Sequence, residues 1–287
     1  MKKIIFVLFI FAAITAFKND KPAYRIFGKD GKKVKFQKVV KTAAEADVLF
    51  IGEQHNNPIS HWMELELTKA LFKEKNGNII LGAEMFEADN QLILNEYLEG
   101  KITKKNFEDE ARLWNNYSTD YKPLVEFAVK NKLPFVATNI PRRYASIVYK
   151  HGFEALDSLT AEARSYIAPL PIAYDPEVKC YKDMVAQMEL MGHNNPNFPK
   201  AQAIKDATMA YNIANNAGKG KLFIHYNGAY HSDNFQGILW YLKKYKPELK
   251  IVTVTSVEQS QLDSLNAENK NLADFIIAIP EDMTKTY

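Results

Sequence analysis

Apolar residues along this chain fall into short unbroken runs, and each run is followed by a stretch with helical spacing. Runs of strand length occur at 48–51, 78–81, 134–138 and 221–225. The helices predicted after them cover about 59–73, 89–98, 143–151 and 234–245, with others at 122–131 and 201–217. Strand and helix therefore alternate, and the strands are apolar throughout rather than on every second residue. That pattern predicts an α/β fold with a central, mostly parallel β-sheet flanked by helices on both faces. Two further runs, 251–255 and 275–279, close the sheet. Ahead of it, 24–36 reads as a small N-terminal hairpin around Lys29-Asp30-Gly31-Lys32, and 36–46 has helical periodicity. Pro169, Pro171, Pro176, Pro196 and Pro199 bracket one helix at about 177–191, so 165–200 is expected to be a helical insertion or lid.

The ends of the chain change this picture. Met1-Lys2-Lys3 precedes an apolar run at 4–17 that includes the small residues Ala12, Ala13 and Ala16, after which the chain turns polar. This is the layout of a secretory signal peptide, and a run of 14 residues is short of the roughly 20 that cross a bilayer as a helix. Cleavage near Ala16 is expected, leaving 17–287 as a single α/β domain exported to the periplasm or cell surface. The one cysteine, Cys180, is far from that point, so there is no lipobox cysteine and no internal disulfide. Loss of Lys2 and Lys3 leaves 35 basic against 34 acidic side chains, a balance that gives no reason to expect nucleic acid.

Ligands of open α/β sheets bind beyond the carboxyl ends of the strands, where several turns converge. The four central strands run into Gly52-Glu53-Gln54-His55-Asn56-Asn57-Pro58, Gly82-Ala83-Glu84-Met85-Phe86-Glu87, Asn139-Ile140-Pro141-Arg142-Arg143 and Tyr226-Asn227-Gly228-Ala229-Tyr230-His231. Glu84, set among apolar residues, needs a charge partner once buried, and Arg142 offers a bidentate guanidinium. His55 and His231 reach the same edge from independent turns. Two imidazoles and a carboxylate can hold a divalent transition metal or act as base and acid, and the spacing does not choose between these. His61, six residues from His55, is expected behind the site or at the surface, and Glu87 at the start of a helix. On the inserted helix Tyr181, Met184, Met188 and Met191 share one face, read either as core packing or as a pliable wall over a flat ligand.

With these motifs in order, and with Leu133-Pro134 and Asp206-Ala207-Thr208-Met209-Ala210 between them, the chain resembles the ChaN family of haem-binding uptake proteins. That family lies within the superfamily that also holds the TraB and Tiki proteins and the erythromycin esterases. The resemblance spans about 46–245. The family resemblance implies haem as ligand: Met188 and its neighbours on the macrocycle, Arg142 or His193 at a propionate, and a histidine or tyrosine on iron. An uptake role brings in a membrane-surface receptor or transporter, and a homodimer is an expected assembly. Resemblance to the superfamily implies instead a metal-dependent esterase or peptidase, with His55, Glu84 and His231 in catalytic or metal-binding roles. The chain departs from the family at Ala229-Tyr230, where Gly-x-Gly-His is usual, which sets the Tyr230 ring beside the site. It also lacks the N-terminal cysteine that commonly anchors the family to lipid.

Overall fold

Runs that are apolar on every residue need cover on both sides, and in the computed structural model of the chain they become central strands of one seven-stranded sheet. The structure describes residues 21–192, 194–218 and 220–287; the expected signal peptide, 1–16, and His193 lie outside the described residues. The strands are β1 (Arg25–Gly28), β2 (Val48–Glu53), β3 (Ile79–Glu87), β4 (Phe135–Asn139), β5 (Leu222–Gly228), β6 (Ile251–Gln259) and β7 (Phe275–Pro280), in the order β1-β7-β6-β2-β5-β3-β4. Only β1, at one edge, runs antiparallel to its neighbour. The predicted hairpin keeps its turn, but its second arm shrinks to a single bridge between Phe27 and Lys33, and β1 pairs with β7 instead.

Helices cover both faces. On one lie α1 (Phe36–Ala44), α2 (Pro58–Glu74), α3 (Gln91–Leu98), α4 (Lys104–Glu110) and α5 (Lys122–Asn131). On the other lie α6 (Arg142–His151), the short α7 (Ala161–Arg164), α8 (Lys179–Leu190), α9 (Phe198–Asn216) and α10 (Ile238–Tyr245). Along β2 the side chains divide between the two layers, Leu49 and Ile51 joining the first core and Val48 and Phe50 the second. Each such side chain, withdrawn from water, stabilises the fold by about 1.5–3 kcal/mol before the entropy of ordering it is counted.

Two features of the central strands position the ligand site. First, β2, β3 and β5 outrun their apolar runs and end in polar residues that are nevertheless buried, among them Glu53, Glu84 and Asn227. Second, the register between β3 and β4 shifts between Ala83 and Glu87, so Glu84 is presented from an irregular stretch inside a strand rather than from the turn after it. Helix α10 begins four residues later than its periodicity predicts, because Asn234 and Phe235 take left-handed backbone (φ 57° and 59°) that no helix continues. No helix of the described residues is long and apolar enough to cross a membrane.

Candidate functional site

The turn after β2 is short and fixed at both ends. Asn57 caps α2, its side-chain oxygen accepting from the backbone N–H of Ile59 (3.0 Å) and Ser60 (3.4 Å), and Pro58 follows at the first helical position. Gln54 is tied across to the Ser256 carbonyl (2.9 Å). Between these anchors stands His55, its Nδ1 2.7 Å from Oε1 of the buried Glu53, which also accepts from the Tyr121 hydroxyl (2.6 Å). The ring meets Trp114 edge-on, centroids 5.1 Å apart, and 41% of the side chain stays exposed. Burial lowers the affinity of His55 for a proton, but the Glu53 hydrogen bond and the charges of Glu84 and Glu53 outweigh it, so its pKa is raised. Nδ1 is engaged while Nε2 has no hydrogen-bond partner among the described residues, and His55 lines the main cavity.

Gly228 lies against this ring. A Cβ added there would stand 2.7 Å from His55 Nε2 and Cε1 and 3.6 Å from Glu84 Oε2. Only glycine allows the end of β5 to pass so close. Its N–H donates to Glu84 Oε2 at 2.8 Å, which fixes the carboxylate beside the strand end. Likewise, a Cβ at Gly52 would sit 2.9 Å from the Ala229 backbone, so the β2 and β5 ends pack directly on each other.

The other oxygen of Glu84 is 3.2 Å from Nε2 of His231, and Nδ1 of that ring is 2.5 Å from Asp206 on α9. Asp206 in turn accepts from the Tyr181 hydroxyl of α8 at 2.8 Å. The buried imidazole thus lies between two carboxylates. Burial alone would lower its pKa; the charges of Glu84 and Asp206 overcome that and raise it to about 10, so His231 is an imidazolium. Burial likewise opposes ionisation of Glu84, but the His231 charge holds its carboxyl well below the usual carboxylate range. Beneath them His225 bonds to Thr138 (2.8 Å) and Asn227 (3.0 Å), and burial pushes it down to about 4, so it stays neutral as a core residue.

Above these groups α8 and α9 form a roof. Met184, Gln187, Met188 and Met191 from one side and Phe198, Gln202 and Lys205 from the other enclose a cavity of about 600 Å³ whose floor is His55, Glu84, Gly228 and His231. The methionine face divides: Tyr181 packs into the core, the buried Met184 also reaches the cavity, and Met188 and the exposed Met191 line it further out. Tyr230 joins the lining and its hydroxyl donates to the Cys180 carbonyl, tying the β5 turn to α8. Burial pushes the Tyr230 phenol above its ordinary value and the Cys180 thiol up to about 11, which disfavours the anionic forms that ligate metal.

Several expectations are corrected. Arg142 is exposed at the first position of α6, outside the cavity lining and in no ion pair among the described residues; its neighbour Arg143 pairs with Asp89 at 2.6 Å. The partner of Glu84 is His231, because β4 lies at the sheet edge, beyond β3, while the cavity opens over β2 and β5. Both nitrogens of His231 face carboxylates, and the ligand atoms of His55, Glu84 and His231 are not gathered within 4.8 Å of one another. Among the described residues only Glu53, His61 and Glu64 bring ligand atoms within 4.8 Å of one another. Glu87 does stand at the N-cap position of a short 3-10 turn, but its side chain makes no capping hydrogen bond and accepts from Arg112 (3.0 Å). Residues missed at the site are Glu53, Asp206, Gln202 and Lys205. Glu53 and Asp206 lie inside the motifs quoted above, and Gln202 and Lys205 fall one turn apart on the α9 face that carries Asp206.

A doubly covered sheet with a pocket at the carboxyl ends of its central strands defines an α/β protein built to hold a ligand at a strand switch point, where β2 meets β5. The family model described as haem-binding uptake, Tiki superfamily, ChaN matches residues 39–242, and the chain belongs to that family. Among solved structures it is similar to ChaN of Campylobacter jejuni, a structure of cofacial haem binding, with a TM-score of 0.65 and 18% identity over 88% of this chain and 96% of that one. A Bacillus cereus protein (TM-score 0.49, 12% identity, 84% of this chain and 90% of that one) and the erythromycin esterase EreC in its open conformation (TM-score 0.48, 12% identity, 90% and 83%) are more distant. No curated protein sequence matches the chain.

Proposed function

We propose that the chain binds haem in the cavity between the strand ends and α8, and that it acts in haem or iron uptake or storage as an exported protein. One observation carries the reading: an imidazole nitrogen, Nε2 of His55, has no hydrogen-bond partner among the described residues and lines a methionine-roofed cavity while Nδ1 is held by a buried carboxylate. A histidine so held is fixed in orientation and made a stronger donor, as haem-ligating and other metal-ligating histidines are. The residues present fit the group. Met184, Met188, Met191 and Phe198 suit the macrocycle face, and Lys205, which has no acid partner among the described residues, suits a propionate in place of Arg142. His55 is favoured over Tyr230 as the iron ligand because the Tyr230 hydroxyl is already committed to a carbonyl. Bound haem would supply the iron chemistry; the chain's own part is to hold, orient and shield it. Membership of a haem-binding family supports the ligand class.

The cavity rim at the exposed Met191 is the face we assign to a receptor, a transporter or a second copy of the chain. Titrating the full chain with hemin tests the proposal. A saturable Soret shift is expected, and no shift at stoichiometric protein would remove it. The same His55–Glu53 pair is also what a water-activating base requires, which keeps hydrolysis of an ester or peptide as the second reading. Turnover of such substrates by protein free of haem, lost in His55→Ala, would select it.

A further inference from the structure

Behind His55, away from the cavity, the first turns of α2 carry His61 and Glu64 against the end of β2. Glu53, His61, Glu64 and Asp120 are all at least 95% withdrawn from solvent. Among the described residues no lysine or arginine pairs with any of the three acids; their only basic neighbours are histidines. Asp120 is satisfied by Asn116 (2.7 Å) and Thr286 (3.0 Å), whereas Glu53 Oε2 and Glu64 Oε1 are buried with no hydrogen-bond partner among the described residues. Two orphaned carboxylate oxygens in one place are costly unless something positive sits between them.

The tautomer of His61 says where. Its Nε2 lies 3.1 Å from the His55 carbonyl, which can only accept, so Nε2 carries the hydrogen. In the neutral ring Nδ1 is then a bare lone pair, and it faces Glu64 Oε2 at 3.2 Å and Glu53 Oε2 at 3.5 Å. Three such atoms stay together only with a proton on one of them or a metal ion among them. A ring whose far N–H is anchored to a backbone carbonyl is also the usual setting of a metal-ligating histidine. The separations agree: donors at about 2.0–2.2 Å from a tetrahedral ion are about 3.3–3.6 Å apart, close to the distances from His61 Nδ1 to the two carboxylates.

We infer that Glu53 Oε2, His61 Nδ1 and Glu64 form a buried site for one divalent first-row transition ion, separate from the haem cavity. One imidazole and two carboxylates suit zinc, manganese or ferrous iron, and their two negative charges balance such an ion. Because Glu53 uses its other oxygen on His55, the ion would sit one carboxylate away from the proposed iron ligand and help fix its orientation. The inference does not depend on haem binding, and either can fail alone.

Cobalt(II) is the probe. The full chain is expressed in cobalt-supplemented medium, and separately refolded with Co²⁺, since a site this deep is best filled as the chain folds. The expected result by either route is one ion per chain with visible d–d bands, together with a rise in Tm over metal-free protein. Glu64→Gln, a change of one atom that also relieves buried charge, should fold with an unchanged or higher metal-free Tm yet bind at least about tenfold more weakly. His61→Ala should abolish the bands. Absence of a stoichiometric ion by both routes would overturn the inference and leave shared protons as the cations of the cluster. Retention of the bands in Glu64→Gln and His61→Ala would overturn it equally.

Discussion

The floor and the roof of the cavity are built on opposite plans. Every floor group stands on a central strand or the turn that follows it and has at least one hydrogen bond to another buried residue: His55 to Glu53, Glu84 to the Gly228 N–H and His231, His231 to Asp206 of α9. The roof meets the cavity with flexible side chains from α8 and α9, and along α8 it loosens outward from the buried Met184 to the exposed Met191. A rigid floor sets which atom faces the ligand and in which protonation state, whereas a soft roof adapts to the ligand's outline. The difference predicts that changes to the floor act on folding, ligation and pH response, while changes to the roof act on affinity in small steps.

The largest effect should come from breaking the floor's ion pair. Glu84→Leu leaves a buried imidazolium short of one counter-charge and should cost about 3–5 kcal/mol of unfolding free energy, read by denaturant titration. The double variant Glu84→Leu/His231→Leu should recover part of that loss. If Glu84→Leu alone melts like the parent, the floor is not the rigid element described here.

The pH response follows from the same pair. His231 is raised from 6.5 to about 10, so its contribution is complete below pH 6.5 and is lost as pH rises through about 10. Glu84 is depressed below its ordinary 4.5, so its contribution is present above that value and is lost as pH falls beneath it. Stability owed to the pair should therefore be greatest between pH 4.5 and 6.5 and decline on either side. A Tm–pH profile checks this, and the alkaline decline should flatten in the double leucine variant.

Next in size is His55→Ala. Its side chain is part-exposed and leaves Glu53 still bonded to Tyr121, so folding should change little. Hemin affinity should fall by more than about tenfold, equivalent to at least 1.4 kcal/mol, and the spectrum should lose its histidine-ligated form. An unchanged spectrum would move the iron ligand elsewhere in the cavity.

What the sequence discloses of this architecture follows the same division. Strands buried on both faces announce themselves as unbroken apolar runs, and the residues that follow them, His55, Glu84 and His231, are legible because a parallel sheet must bring its carboxyl ends to one edge. Arg142 obeys the same rule and yet lies apart, since lateral order decides which turns are neighbours, and nothing local places β4 at the edge. Asp206 stands in the middle of a long helix, where an acid looks like any polar residue until the α9 face is known to meet β5. The spacing of His61 from His55 says little about it, because its neighbour is Glu64, one turn along α2, and a single glutamate at that offset looks like an ordinary helix-surface pair.

Smaller effects belong to the roof. Met188→Ala removes part of one apolar side chain and should weaken hemin binding severalfold, about 1 kcal/mol, whereas Met188→Leu should be nearly silent because shape and polarity are kept. Lys205→Ala should be smallest. The side chain is only partly buried, and an ion pair to a propionate in such a place contributes about 0.2–1 kcal/mol, at most about a fivefold change in affinity. Because salt screens exposed charges, that change should shrink further when the titration is repeated at high ionic strength, while the His55→Ala loss should not. A Lys205→Ala defect that matched the loss in His55→Ala and survived added salt would mean that the anchoring of the ligand lies in the helices and not in the sheet, which would invert the roles assigned to floor and roof.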